Sequence, residues 1–211
     1  MDYSGRCSRR SRLGSRWRHR PGDHLSEREP ADLARAFLDP VEAGRLHAHG
    51  KESAAVLVPL FGWPERPGLI FTERRRDMRR HAGEISFPGG RADPDETLVE
   101  CALREAREEI GLDPGAVEVV GALPPTSTVV TSFKVLPVVG LVPERLAHTL
   151  SPHEVERVIE LDLDELRHGF GMRRLIRRGV PFRTPTYDVE GAFIWGATAR
   201  MLQQFLERID G

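Results

Sequence analysis

Between Gly90 and Leu112 the chain reads GRADPDETLVECALREAREEIGL, an amphipathic helix that carries Glu105, Glu108 and Glu109 in its last turn, behind a double glycine at Gly89 and Gly90. At about 100° per residue, Val99, Leu103, Ala106 and Ile110 fall on one face, so the spacing predicts that this stripe packs on a core. Glu105 and Glu109 stand one turn apart on a neighbouring face with Glu108 beside them, and small Cys101 and Ala102 leave room one turn earlier. Thr97 followed three residues later by Glu100 predicts a capping box, with Asp93-Pro94 as a competing start, and Gly111 predicts the stop. Any fold for this chain must bury the apolar stripe and still give the glutamates a space to face.

That arrangement is costly for a helix that serves only structure. Like charges at i, i+3 and i, i+4 cost roughly 0.2–0.5 kcal/mol per pair, and carboxylates in a last turn oppose the helix dipole. A divalent cation reverses the sign, because hard oxygen ligands are what Mg²⁺ takes, together with waters and substrate phosphates. The competing structural reading is a solvated acidic face partnered by Arg104 and Arg107. Spacing alone leaves both open.

The fixed positions around the cluster go further. Gly90, Glu96, Arg104, Glu105, Ala106, Glu108, Glu109, Gly111 and Leu112 follow the pattern G-x5-E-x7-R-E-U-x-E-E-x-G-U, so the segment resembles the box of the Nudix hydrolases, with Ala106 as a small version of the first U. Just upstream, Ile70 to Gly90 reads IFTERRRDMRRHAGEISFPGG and is similar to the signature of the coenzyme A pyrophosphatase branch, L-L-T-x-R-[SA]-x3-R-x3-G-x3-F-P-G-G. Thr72, Arg74, Arg79, Gly83, Phe87, Pro88, Gly89 and Gly90 are in register with it. Arg75 stands where the signature has a small residue. The run WGATARML from Trp195 to Leu202 also resembles the C-terminal helix of that branch, and the similarity covers roughly Ala54 to Leu206.

The resemblance implies hydrolysis of the pyrophosphate of coenzyme A and its derivatives to 3′,5′-ADP and (acyl-)4′-phosphopantetheine, with Mg²⁺ or Mn²⁺ as cofactor. Glu105 and Glu109 would then be the primary metal ligands, Glu108 would complete the cluster directly or through water, and a carbonyl of Gly89 or Gly90 would be a backbone ligand. Arg104 would hold the carboxylates in place, with Glu96 outside them. Nudix enzymes draw the general base from the box or from a loop elsewhere, which leaves Glu105 and Glu154 as candidates. Arg74, Arg79 and His81 are the expected substrate-binding residues, cations beside the glycine loop suited to phosphate groups that the metal does not hold. The nearest alternative is a Nudix hydrolase of another nucleoside diphosphate derivative such as ADP-ribose or NADH. A more distant one is a Nudix-fold binding module without catalysis.

Composition narrows the setting. The 211 residues suffice for one sizeable core with appendages. No run approaches the ~20 apolar residues of a membrane span and no apolar signal segment follows the start, so a cytoplasmic enzyme is expected, with no membrane partner. Cys7 and Cys101 offer neither a disulfide framework nor a metal knuckle. Residues 1–20 hold seven arginines against one aspartate, about +6 on a chain whose formal total is −1. This Ser- and Arg-rich stretch, 1–25, is expected to be a disordered tail. A basic arm for nucleic acid is the lesser reading, and a small-molecule substrate the expected partner. A homodimer is left open.

Residues 26–50 are expected to form a helical extension interrupted at Pro40, as two short helices or a helix and a loop, and 51–211 the catalytic domain. Apolar runs at 54–61 and 68–75 predict a hairpin, 116–123 and 134–142 further strands, and 124–133 a pocket-wall loop. His153–Gly169 ends in a short amphipathic stretch, 183–196 suggests a last hairpin, and Thr198–Ile209 a closing helix. Strands around one central helix with another at the end make an α+β three-layer sandwich. The resemblance makes it the Nudix α/β/α sandwich with a mixed β-sheet.

Overall fold

A computed structural model describes residues 30–50, 52–78, 81–128, 132–143, 148–177 and 180–211. The tail 1–25 and Arg79 therefore lie outside the described residues.

The fold is α+β with a large mixed sheet, built around β1 (Glu52–Phe61). On one edge β1 runs parallel to β7 (Phe133–Leu141) over its whole length. Its other edge is shared: Leu60 and Phe61 pair antiparallel with β2 (Gly68–Arg74) across a short hairpin, while Ala54, Ala55 and Val56 pair with β4 (Gly89–Arg91). Between the two, Leu57 N–H donates to Pro88 O at 2.9 Å. The glycine segment is thus itself a strand laid on the central one. The pairs β3 (Ile85–Ser86) to β2, β5 (Glu118–Ala122) to β7, β6 (Thr126–Ser127) to β7 and β8 (Val155–Asp162) to β2 complete this sheet, all antiparallel.

Alternation along β1, β2 and β7 divides the core in two. Ala55, Leu57, Ile70, Leu136 and Val138 face the glutamate-bearing helix α3 (Leu98–Ile110), whose Cys101, Ala102, Ala106 and Ile110 are fully buried against them. Ala54, Val58, Leu60, Leu69, Phe71, Val135 and Val139 face the opposite way, onto Ala199, Met201, Leu202, Phe205, Leu206 and Ile209 of α5 (Gly196–Asp210). Between β8 and a smaller antiparallel sheet lies α4 (Leu163–Gly169), and that sheet comprises β9 (Phe170–Arg177), β10 (Val180–Val189) and β11 (Ala192–Ile194).

Two short helices form the start of the described chain, α1 (Pro30–Ala34) and α2 (Pro40–Arg45). The break at Pro40 falls between two short helices, and Pro40 itself opens α2: it sits in the first turn, where its missing N–H is no loss, and Asp39 caps Val41 and Glu42. These helices share the main core, with Phe37 stacked on Phe205 at 5.7 Å and Lys134 Nζ donating to Gly44 O at 2.6 Å.

One expectation needs amending, and two strands are added to the expected pattern. The buried stripe of α3 is centred on Cys101, Ala102, Ala106, Glu109 and Ile110, with Val99 and Leu103 only partly buried at its margin. Small side chains let the helix approach β1 and β4 closely, and that rotates the buried face toward them. Within His153–Gly169, residues 155–162 form a strand on β2 ahead of the short amphipathic helix α4, and β9 joins the expected β10–β11 hairpin as a third strand.

Candidate active site

The start of α3 is fixed by a capping box: Thr97 Oγ1 accepts from Glu100 N–H at 3.2 Å and Glu100 Oε2 accepts from Thr97 N–H at 2.8 Å. The end is fixed by Gly111 in the left-handed region at φ 72°, whose N–H bonds back to the last turn. Between these stops, the close seating of α3 on β4 brings the glutamates against the glycine strand. A methyl group added at Gly90 would lie 2.5 Å from Glu105 Cδ, and one at Gly89 would lie 2.5 Å from Val56 Cα. Gly89 is required by close approach to the β1 backbone, while at Gly90 the Glu105 carboxyl occupies the space where a side chain would start.

Glu109 is the deepest of the cluster, only 8% exposed. Its Oε2 has no hydrogen-bond partner among the described residues. Burial first, then the charges of Glu105 and Glu154, push its carboxyl up to about 8, against the opposing pull of Arg74 and the Gly89 N–H. Burial also raises Glu105, which Arg104 counters, and Glu108 and Glu154 add to the rise. Glu108 is the exposed member at 58% of its side chain.

Arg104 ties the remaining carboxylates together. Its Nε and Nη2 donate to the two oxygens of Glu96 at 3.0 and 2.7 Å, and its Nη1 donates to Glu105 Oε1 at 2.9 Å and Glu108 Oε2 at 3.1 Å. This pairing holds the Glu96 carboxyl down at about 2. Arg107, by contrast, makes no ion pair among the described residues.

Glu154 comes to the cluster from the other direction, in the turn just before β8. The preceding segment is fastened to the end of α3, where Thr149 N–H donates to Ile110 O at 3.0 Å and Ser151 N–H to Glu109 O at 2.9 Å. Arg74 at the end of β2 stands with Nη1 3.6 Å from Glu154 Oε2. Arg74, Glu154, Glu109 and Glu105 therefore form one electrostatic group. His81 is placed differently: its Nδ1 is 2.6 Å from Glu84 Oε2, within its own loop. The docking of the 149–154 segment is what sequence reasoning missed, since backbone bonds between distant segments leave no signal in a linear pattern.

A divalent cation fits this donor set. Glu109 offers a buried carboxylate oxygen without a partner among the described residues, its neighbours are hard oxygens of like charge, and their proximity opposes ionisation until positive charge arrives. Among the described residues no three His, Cys, Asp or Glu side chains already converge on one point. Arg104 draws Glu105 and Glu108 toward itself, and Glu108 is turned to solvent.

Comparison with known proteins agrees with the box. The NUDIX domain model matches residues 51–179. The chain belongs to the Nudix family. It is 43% identical over 166 residues, 77% of this chain and 85% of the relative, to the uncharacterized Nudix hydrolase NudL of Klebsiella pneumoniae strain 342. With its counterpart in Escherichia coli O7:K1 it shares 40% over 159 residues, 74% of this chain and 82% of that one. Among solved structures, the NUDIX domain of Shewanella oneidensis NrtR complexed with ADP ribose aligns with a TM-score of 0.49 at 14% identity, over 79% of this chain and 92% of that one. A C. elegans Ap4A hydrolase binary complex aligns at 0.46 and 18%, over 55% and 82%. Among the described residues of this Nudix protein, no helix is long and apolar enough to cross a membrane.

Proposed function

We propose that this Nudix protein is a metal-dependent hydrolase of the pyrophosphate linkage in a nucleoside diphosphate derivative, and that its substrate is coenzyme A or an acyl form of it. The observation that carries the reading is the buried Glu109 carboxylate with its unpartnered oxygen, set beside Glu105 and against the glycine strand. A structural ion-pair network would have neutralised that oxygen.

Glu105 and Glu109 would hold the cation, with Glu108 and a carbonyl of Gly89 or Gly90 completing its shell. Mg²⁺ or Mn²⁺ bound there supplies positive charge to the anionic phosphate oxygens that otherwise repel a nucleophile. Arg104 restrains Glu105 through the 2.9 Å bond and is itself anchored by Glu96, so the ligand oxygen is oriented before substrate arrives. Glu154 is the proton acceptor this arrangement favours over Glu105. Glu105 is already engaged by Arg104 and packed on Gly90, while Glu154 is half exposed and, among the described residues, its one ion pair is the long contact to Arg74. Its carboxylate takes the proton of the attacking water as the new P–O bond forms, and the bridging P–O bond breaks to leave two phosphate monoesters.

The choice of coenzyme A rests on the signature from Thr72 to Gly90. Its strand residue Arg74 adjoins the carboxylate group, and its closing Gly89-Gly90 opens the strand β4 against which Glu105 packs. A phosphate beyond the metal would meet Arg74, with Arg79 and His81 as further candidates from the same signature.

Incubation with coenzyme A, ADP-ribose and NADH, with and without Mg²⁺ or Mn²⁺, followed by mass measurement of the products, tests both levels. Metal-dependent 3′,5′-ADP and 4′-phosphopantetheine are expected from coenzyme A. Preferential cleavage of ADP-ribose or NADH would remove the coenzyme A reading and keep the hydrolase, while no product from any would favour a binding module.

A further inference from the structure

Arg75 breaks the signature that its neighbours follow, and its contacts give it a task. Its Nε and Nη2 grip Asp77 at 3.0 and 2.7 Å, and its Nη1 donates to Pro152 O at 2.8 Å. Its backbone N–H donates to Glu154 O at 3.0 Å. The guanidinium and the main chain of one residue therefore hold the turn at both ends, two residues apart, with Glu154 as the second anchor.

The register between β2 and β8 shifts here, from Glu73 opposite Arg157 to Arg74 opposite Val155. Regular ladder pairing thus gives out where the turn begins, and Arg75 supplies the bonds that continue it. On the far side the same segment is held by Ser151 N–H on Glu109 O and Thr149 N–H on Ile110 O. A turn pinned from the helix end and from the strand end has little freedom to carry Glu154 away from the cluster.

We propose that Arg75 is a positioning residue: with Asp77 it clamps the Pro152–Glu154 turn so that the Glu154 carboxylate faces Glu105 and Glu109. This rests on the reading of Glu154 as proton acceptor. The planar fork of arginine can satisfy Asp77 on two nitrogens while a third reaches Pro152 O, which an ammonium group on a flexible stem does not reproduce. Displacing a catalytic group by about 1 Å can cost 10²-fold in rate, so a tether of this kind acts on kcat through geometry.

The test is a double-mutant cycle on turnover of coenzyme A, or of whichever diphosphate of the panel above is cleaved. Arg75→Ala is expected to lower kcat by about tenfold or more with little change in KM, Arg75→Lys to recover only part of the loss, and Asp77→Asn to reproduce it in milder form. In a Glu154→Gln background, Arg75→Ala should change kcat less than about twofold, because its effect passes through Glu154. An unchanged thermal midpoint of Arg75→Ala separates this from general unfolding, and Asp77→Asn serves if that variant is unstable. If Glu154→Gln is impaired and Arg75→Ala costs the same in both backgrounds, or raises KM at constant kcat, the clamp is overturned and Glu154 keeps its role. Wild-type kcat in Glu154→Gln alone overturns the reading of Glu154 and the clamp with it.

Discussion

Replacing Glu109 by glutamine should make the metal-free protein more stable in alkali. The Glu109 carboxyl sits at about 8 in the folded chain against an ordinary 4.5, chiefly because it is buried. Below 4.5 the group is protonated both folded and unfolded, and it contributes no pH dependence. Between 4.5 and about 8 the unfolded chain releases the proton that the folded chain retains, so stability falls as pH rises. Above about 8 both states are ionised and the loss is complete. At 1.36 kcal/mol per pH unit the gap amounts to ~5 kcal/mol. Glutamine does not titrate, so whatever its amide costs in packing is the same at both ends of the range and cancels in the difference. Thermal unfolding in a chelator at about pH 5 and about pH 9 should therefore show the variant gaining on wild type with pH, by on the order of 10 °C in midpoint for a chain of this size. Adding Mg²⁺ at the higher pH should narrow the gap, since the cation stabilises the form that holds it. Midpoints that fall in parallel with pH would refute the reasoning, because Glu109 would then not be the group that resists ionisation.

Gly90→Ala should lower kcat by about 10²-fold or more while the thermal midpoint moves little, because the added methyl, 2.5 Å from Glu105 Cδ, displaces that carboxyl. A variant with wild-type kcat would show that Glu105 need not sit on the glycine strand. Thr97→Ala should cost ~1 kcal/mol in chemical denaturation and leave kcat unchanged, since it removes only the helix cap. Glu96, held down at about 2 by Arg104, contributes stability that is present above its ordinary 4.5 and is lost as pH falls toward 2. Glu96→Gln should accordingly flatten the acid limb of an unfolding-versus-pH profile.

How much of this was legible in the chain depended on whether the cause was local. The limits of α3 were readable because Thr97 with Glu100 and Gly111 act within one turn of themselves. The apolar runs of β1, β2 and β7 were readable because strands buried on both faces need continuous apolar sequence. The strand β9 was not: FGMRRLIR has no clean alternation, and its Met172 and Ile176 are exposed, so nothing in its pattern separates it from a loop. The exact burial of α3 was not readable either. A glutamate counts as polar in any periodicity, yet Glu109 lies within the buried stripe, where an oxygen site displaces the expectation of an apolar side chain. At the site, the box resemblance pointed to Glu105, Glu108 and Glu109. The convergence of Arg74 and Glu154 on them arises from the β2–β8 pairing and from the bonds of Thr149 and Ser151 to the end of α3, contacts between segments far apart in the chain. Arg75 read as a misfit until its partners Asp77, Pro152 and Glu154 were in view.

The central claim, that Glu105 and Glu109 form the seat of a divalent cation, is most directly tested by titrating Mn²⁺ into the protein and following the EPR signal of the free ion. Wild-type protein should withdraw Mn²⁺ from solution with saturable stoichiometry near neutral pH, and the Glu105→Gln, Glu109→Gln double variant should leave it free. Equal Mn²⁺ uptake by a folded double variant would contradict the account.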